Sequence, residues 1–166
     1  GVVLPYLGAS LQVVLGAQHA KGATLVDVAN PPPGAPALQL QLGLPPDATP
    51  EQMGAVVQTW LQRQAKRIFE ERLSHYAPQL GVQWQRLGLS NANTRWGSAS
   101  SGGNIRLNWR LVHLRPPVLD YVVVHELAHL RVMDHSPRFW ATVGSVTPDY
   151  AALRAELKAA AVPRWD

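Results

Sequence analysis

Cysteine is absent from this 166-residue chain, which removes disulfides, thiolate metal sites and a cysteine nucleophile together. Any metal must be held by imidazole and carboxylate groups. Charge is also sparse: Asp, Glu, Lys and Arg make up 16% of the residues against 46% hydrophobic. Such a chain buries enough apolar surface to fold, and its length suits one domain with a real core. Long apolar runs are missing too. The opening GVVLPYLGASLQVVLG is broken by Pro5 and by glycines, and no stretch approaches the roughly 18 residues that a membrane-spanning helix needs. We read neither a signal peptide nor an anchor and expect a cytoplasmic protein; the chain opens on Gly1, not Met, which leaves open what precedes it. The net charge of +4 comes from 15 basic and 11 acidic residues. Arginines scattered from Arg63 to Arg164 supply most of the bases, so a nucleic-acid partner is permitted without being specified.

Residues 1–50 hold no arginine and a single lysine, Lys21. Their apolar stretches VVLPYLG, LQVVLGA, ATLVDVA and ALQLQLGL are separated by Gly and Pro, and Leu38, Leu40 and Leu42 alternate with Gln39 and Gln41 at the strand period. A small antiparallel β region follows from this, with NPPPGAP (30–36) as a loop because proline lacks the ladder donor. Thr49 as N-cap, Pro50 and Glu51 then open a helix expected to run to about Tyr76, ahead of Pro78. Val56, Trp60, Ala65, Ile68 and Leu73 form its apolar stripe. Arg63, Lys66, Arg67, Glu70, Glu71 and Arg72 form a charged face that reads as solvated surface. Two strand-like runs, VQWQRLGL and NIRLNWRLV, are joined by SNANTRWGSASSGG, whose Gly102 and Gly103 suit a tight turn. Thr147 and Pro148 signal a last helix through Ala160, stopped by Pro163.

The most informative stretch is VVVHELAHLRVMDHSPRFW, residues 122–140. Pro116 and Pro117 can start the helix that carries it. His125 and His129 then lie one turn apart on one face, where two imidazoles can share an ion. Glu126 points beside that face, placed to act on an attacking water as general base. Two histidines hold zinc loosely, so a third protein ligand is expected. His135 is the local candidate, with Asp134 and Glu156 as competing donors. On an uninterrupted helix His135 would point about 120° away from His129, so the helix must end before it. Asp134, a residue type that tolerates left-handed backbone, and Ser136–Pro137, an N-cap and first-turn pair, predict that corner. His19, His75 and His113 have no partner at metal spacing and read as structural, while Phe139 and Trp140 read as core anchors of the helix that follows.

In order, TRWGSAS, GGNIRLNWRL, YVVVHELAHL and HSPRFW resemble the YgjP-like metallopeptidase family, a zincin-type group related to the SprT-like proteases. The match is close over about residues 85–145. Val132 stands where the metzincins carry glycine, which argues against that group, and Ala99 stands where the family pattern usually has cysteine. The resemblance implies an α+β, zincin-like fold: a small antiparallel sheet against the HExxH helix and further helices, with residues 1–46 a β-rich N-terminal region and 47–166 the metallopeptidase domain, together one compact unit. It further implies a single Zn ion on His125, His129 and His135, with Glu126 as general base.

Zincin kinship also suggests that an edge strand beside the metal aligns an extended peptide. Of the two expected strands NIRLNW is chosen to line the cleft, with Arg95, Trp96 and Asn108 as candidate substrate-binding residues. The leading function is zinc-dependent hydrolysis of peptide or protein substrates. Two other classes stand beside it: a DNA-associated SprT-like protease module and a metal-binding domain without turnover.

Overall fold

The computed structural model describes residues 2–160. Four strands, β1 (Val3–Tyr6), β2 (Ala9–Leu15), β3 (Ala23–Asp27) and β4 (Leu38–Leu42), form one sheet in the order β1-β2-β4-β3. The 31-residue helix α1 (Pro50–Leu80) follows, and then β5 (Arg86–Ser90), β6 (Gly97–Ala99) and β7 (Asn104–Asn108) form a second sheet in the order β5-β7-β6. A 3-10 turn (Trp109–His113) leads into α2 (Pro116–Ala128), α3 (Pro137–Val146) and α4 (Tyr150–Ala159). The α+β class is as expected, but neither sheet is purely antiparallel. β2 pairs with β4 in parallel and β5 with β7 in parallel. In each case an intervening strand turns the chain back: β3 lies in the connection from β2 to β4, and β6 in the connection from β5 to β7.

Local chemistry accounts for most boundaries. Pro5 is tolerated in β1 because that strand is an edge. Leu40 and Leu42 are buried while Gln39 and Gln41 are half-exposed, the alternation read from sequence. Thr49 and Gln52 close a capping box, Gln52 N–H donating to Thr49 Oγ1 (3.2 Å) and Thr49 N–H to Gln52 Oε1 (2.8 Å). α1 does not stop before Pro78. Ala77 (6% exposed) and Leu80 (1%) draw its last turn into the core, offsetting the one hydrogen bond that an exposed proline forfeits. Gly81, at φ 67°, then supplies the left-handed cap.

Trp60, Ala65 and Leu73 of the expected stripe are buried, joined by Leu61 and Phe69. On the charged face Arg72 is not simply solvated: Nε and Nη2 donate to the two Asp120 oxygens (2.9 and 3.0 Å), and Tyr76 donates to the same carboxylate (2.9 Å). This fork ties α1 to α2. The expected hairpin of two long runs is also different. β6 intervenes between them and makes the antiparallel pair with β7 around a turn in which Gly103 has φ 86°. Thr147 caps the C-terminus of α3, and α4 begins after Asp149; Pro163 lies outside the described residues.

α2 is apolar all round and therefore central: Val118, Leu119, Val122, Val123, Val124, Leu127 and Ala128 are each at most 3% exposed. One buried cluster runs from Leu4 and Tyr6 in the first sheet through α1 and α2 to Leu153 of α4. Among the described residues no helix is long and apolar enough to cross a membrane.

The first sheet is pinned to the helical layer by Leu7 N–H donating to the Val112 carbonyl (2.7 Å) and His113 Nδ1–H donating to the Pro5 carbonyl (2.7 Å). His113 is 3% exposed, and burial holds its pKa below the usual 6.5, against the raising effect of the Pro5 carbonyl. A pKa lower in the folded than in the unfolded chain means this contribution is fully present above pH 6.5 and is lost as pH falls through the folded value. Urea denaturation of the metal-free protein should therefore show stability dropping more steeply from about pH 7 to about pH 5 in the wild type than in His113→Gln, which keeps a donor but does not titrate. Equal slopes would refute this role.

Candidate metal centre

α2 brings His125 and His129 onto one face and ends there: Ala128 is its last residue and His129 its C-cap. The chain turns through residues 130–136 and restarts at Pro137, which delivers the corner that His135 requires. Its detailed chemistry differs from expectation. No corner residue has positive φ, so Asp134 is not a left-handed cap; its Oδ1 accepts from Ser136 N–H (3.3 Å) in an Asx turn instead. The Ser136 side chain makes no capping hydrogen bond.

The three imidazoles converge, with one ring nitrogen from each lying within 4.8 Å of the others. His129 and His135 approach most closely, Nε2 to Nε2 at 3.1 Å. His129 Nδ1 faces the Val132 carbonyl at 3.1 Å and must donate to it, so its Nε2 carries the lone pair. His125 Nδ1 lies 3.3 Å from the Tyr121 hydroxyl, to which Nδ1–H can donate, leaving Nε2 for the cluster. Burial first, then His129, His135 and Arg154, pushes the His125 pKa down to about 3. His129 is depressed chiefly by burial. Neutral imidazoles are the state a cation needs. Two nitrogens bound to one zinc at about 2.0–2.1 Å in tetrahedral geometry sit roughly 3.3 Å apart, close to the His129–His135 separation. The donor set therefore fits a metal ion, and exposed His135 leaves one side open to solvent.

Aromatic rings close the other side. Phe139, fully buried, stacks on His129 (4.4 Å, 25°) and meets His125 and His135 edge-on (5.0 and 5.1 Å). Half-buried Trp140 lies parallel to His135 at 6.0 Å. Phe139 is thus a core anchor that also forms a wall of the site.

Glu126, 6% exposed, sits beneath β6, and burial raises its carboxyl pKa to about 7 against the lowering influence of Arg95. Gly97 makes this approach possible. A Cβ there would lie 2.9 Å from Glu126 Oε2 and 3.1 Å from both Glu126 Cγ and the Arg106 carbonyl oxygen. Ala99, two residues on and so on the same face of the strand, packs half-buried against the core. We expect Gly97→Ala to keep the metal and lower activity by about 10²-fold, since misplacing a catalytic group by an ångström has that scale of effect. Metal content and peptide cleavage measured together check this, and unchanged cleavage would dismiss the close-approach argument.

The other expected residues are placed as follows. Trp96 lines a cavity of about 270 Å³ together with Gly97, Tyr121, His125 and Glu126. Arg95 is exposed beside it and acts on Glu126 through its charge. Asn108, 3% exposed, faces backbone: Nδ2 donates to the Ala92 (2.8 Å) and Arg95 (3.3 Å) carbonyls, and Oδ1 accepts from Arg110 N–H (3.0 Å). It holds the loop leading to β6. Of the competing ligands, Glu156 is engaged by Arg115 (2.7 and 2.8 Å) and lies outside the cluster. Sequence reasoning missed Gly97, Tyr121 and Arg154. Only Tyr121 carries a readable signal, one helical turn before His125.

A buried HExxH helix with a third imidazole delivered from a corner defines a metal-dependent peptide hydrolase. The YgjP-like metallopeptidase domain matches residues 4–160, and the chain belongs to that family. Among solved structures it is similar to the metallopeptidase zymogen abylysin of Pyrococcus abyssi, at 27% identity over 55% of this chain and 94% of that one (TM-score 0.49). It is also similar to the metallopeptidase zymogen jannalysin of Methanocaldococcus jannaschii, at 15% identity over 54% and 93% (TM-score 0.48). No curated protein matches the chain.

Proposed function

We propose that the chain is a zinc peptidase in which His125, His129 and His135 hold the ion and Glu126 is the general base. The observation that carries this reading is the convergence of three imidazoles beside a buried carboxylate. A zinc ion bound there supplies Lewis acidity, lowering the pKa of water and polarising a carbonyl. Glu126 takes the proton of the attacking water on a carboxylate oxygen and delivers it to the leaving amine. Tyr121 and the Val132 carbonyl fix the ring orientations of His125 and His129, so that their Nε2 atoms face the ion.

Peptide or protein substrates align along β6. NIRLNW, preferred on sequence, is the middle strand of its sheet and has both edges paired, whereas β6 has one open edge and passes directly over Glu126. An extended backbone adding to that edge lies across the catalytic carboxylate. Trp96 flanks this path, with Arg95 at its entrance. The buried cluster shared by both sheets supports reading residues 1–46 and 47–166 as one compact unit.

Metal analysis should find about one zinc per chain, and a chelator should abolish peptide cleavage and lower thermal stability together. A chain that takes up no zinc and gains no stability from it would overturn the reading.

A further inference from the structure

The cavity beside Glu126 has a rim that the hydrolytic chemistry leaves without a role. Its wall changes character from inside to outside. Glu126 and Gly97 form the inner end, buried Val122 and half-buried Leu157 an apolar side, and exposed Arg154 and Lys158 the mouth. The two cations lie one turn apart on α4.

Arg154 is held in a particular way. Its guanidinium lies over the Trp140 ring, 5.2 Å from the centroid, and Trp140 is itself stacked on Tyr150 (5.2 Å, 19°). A guanidinium held over an aromatic ring can still donate its N–H groups, and a carboxylate can accept two of them through parallel hydrogen bonds. Among the described residues neither Arg154 nor Lys158 forms an ion pair, and Glu156, on the same helix, is engaged by Arg115. An exposed Arg and Lys on a helix are ordinarily just solvated. The aromatic clamp and the cavity leading to Glu126 distinguish this pair.

We propose that Arg154 and Lys158 form a carboxylate-recognition subsite at the mouth of the catalytic cavity, selecting peptides that present an acidic group beside the bond to be cleaved. The group is either a Glu or Asp side chain or the C-terminal carboxylate. This inference rests on the peptidase reading and narrows its substrate class.

The test separates binding from turnover. Three dye-labelled alanine-rich hexapeptides are titrated into zinc-loaded Glu126→Gln protein: one with an internal Glu and an amidated C-terminus, one with Gln and a free C-terminus, and one with Gln and an amidated C-terminus. A carboxylate taken by Arg and Lys should tighten binding roughly tenfold over the fully neutral peptide. Tightening of the first peptide assigns the side chain, and of the second the chain terminus. Adding Arg154→Gln and Lys158→Gln should bring both down to the neutral level, and Arg154→Glu should favour a Lys-containing peptide instead. Equal binding of all three peptides, or a preference that survives these changes, overturns the subsite. Failure of the wild-type protein to cleave any of them, with the binding preference intact, would count against the peptidase reading alone.

Discussion

Exchanging Glu126 for glutamine should leave the metal bound and lower peptide hydrolysis by about 10²–10⁴-fold, the range that positioned acid–base catalysis contributes. Glutamine has nearly the same shape, so it fits the narrow space under Gly97 that the glutamate side chain occupies. It is uncharged, so the buried position becomes no less favourable; burial already pushes the carboxyl pKa up to about 7. What is lost is a basic oxygen. The three imidazoles are untouched, because Glu126 is not one of the converging ligands. Metal analysis and kcat on the same preparation check the result. A variant that loses zinc would make Glu126 a ligand or a structural support, and one that keeps full kcat would remove it from proton transfer.

The site was legible in sequence to the extent that its geometry is local. His125, Glu126 and His129 are related by helical spacing alone. His135 required one more inference, that the helix breaks, and Ser136–Pro137 signalled the restart of helix at Pro137. The mechanism of the break was less legible: Asp134 closes the corner with its side chain, not with left-handed backbone, and both devices suit the same residue type. Features set by distant partners were not legible. Nothing near Pro78 reveals that Leu80 is drawn into a core contributed by other elements, so the helix was expected to stop early. The parallel pairing of β5 with β7 and the edge position of β6 depend on which strand reaches the sheet between them. A strand as short as Gly97–Ala99 carries too few residues to show a period of two. Gly97 reads as an ordinary loop glycine until Glu126 is found beneath it.

The corner at 129–136 is tested most sharply by His135→Ala. His135 is exposed and makes no buried contact comparable to that of His129 against Phe139, so its truncation should leave the metal-free fold almost unchanged. Its effect should be confined to the metal. With free zinc at about 100 times its dissociation constant, a bound ion adds about 2.7 kcal/mol of stability, which is roughly 5–10 °C in melting temperature for a chain of this size. The variant should lose most of that increment together with peptide hydrolysis, while melting like the wild type in chelator. His129→Ala cannot make the same distinction, because it also empties a buried position (8% exposed) and unstacks Phe139. Calorimetry of both proteins with and without zinc separates the alternatives. If His135→Ala kept the full zinc-dependent increment, the third ligand would have to be another donor, Asp134 in the same corner or a Glu156 released from Arg115, and the corner would lose its assigned role of turning His135 back toward His129.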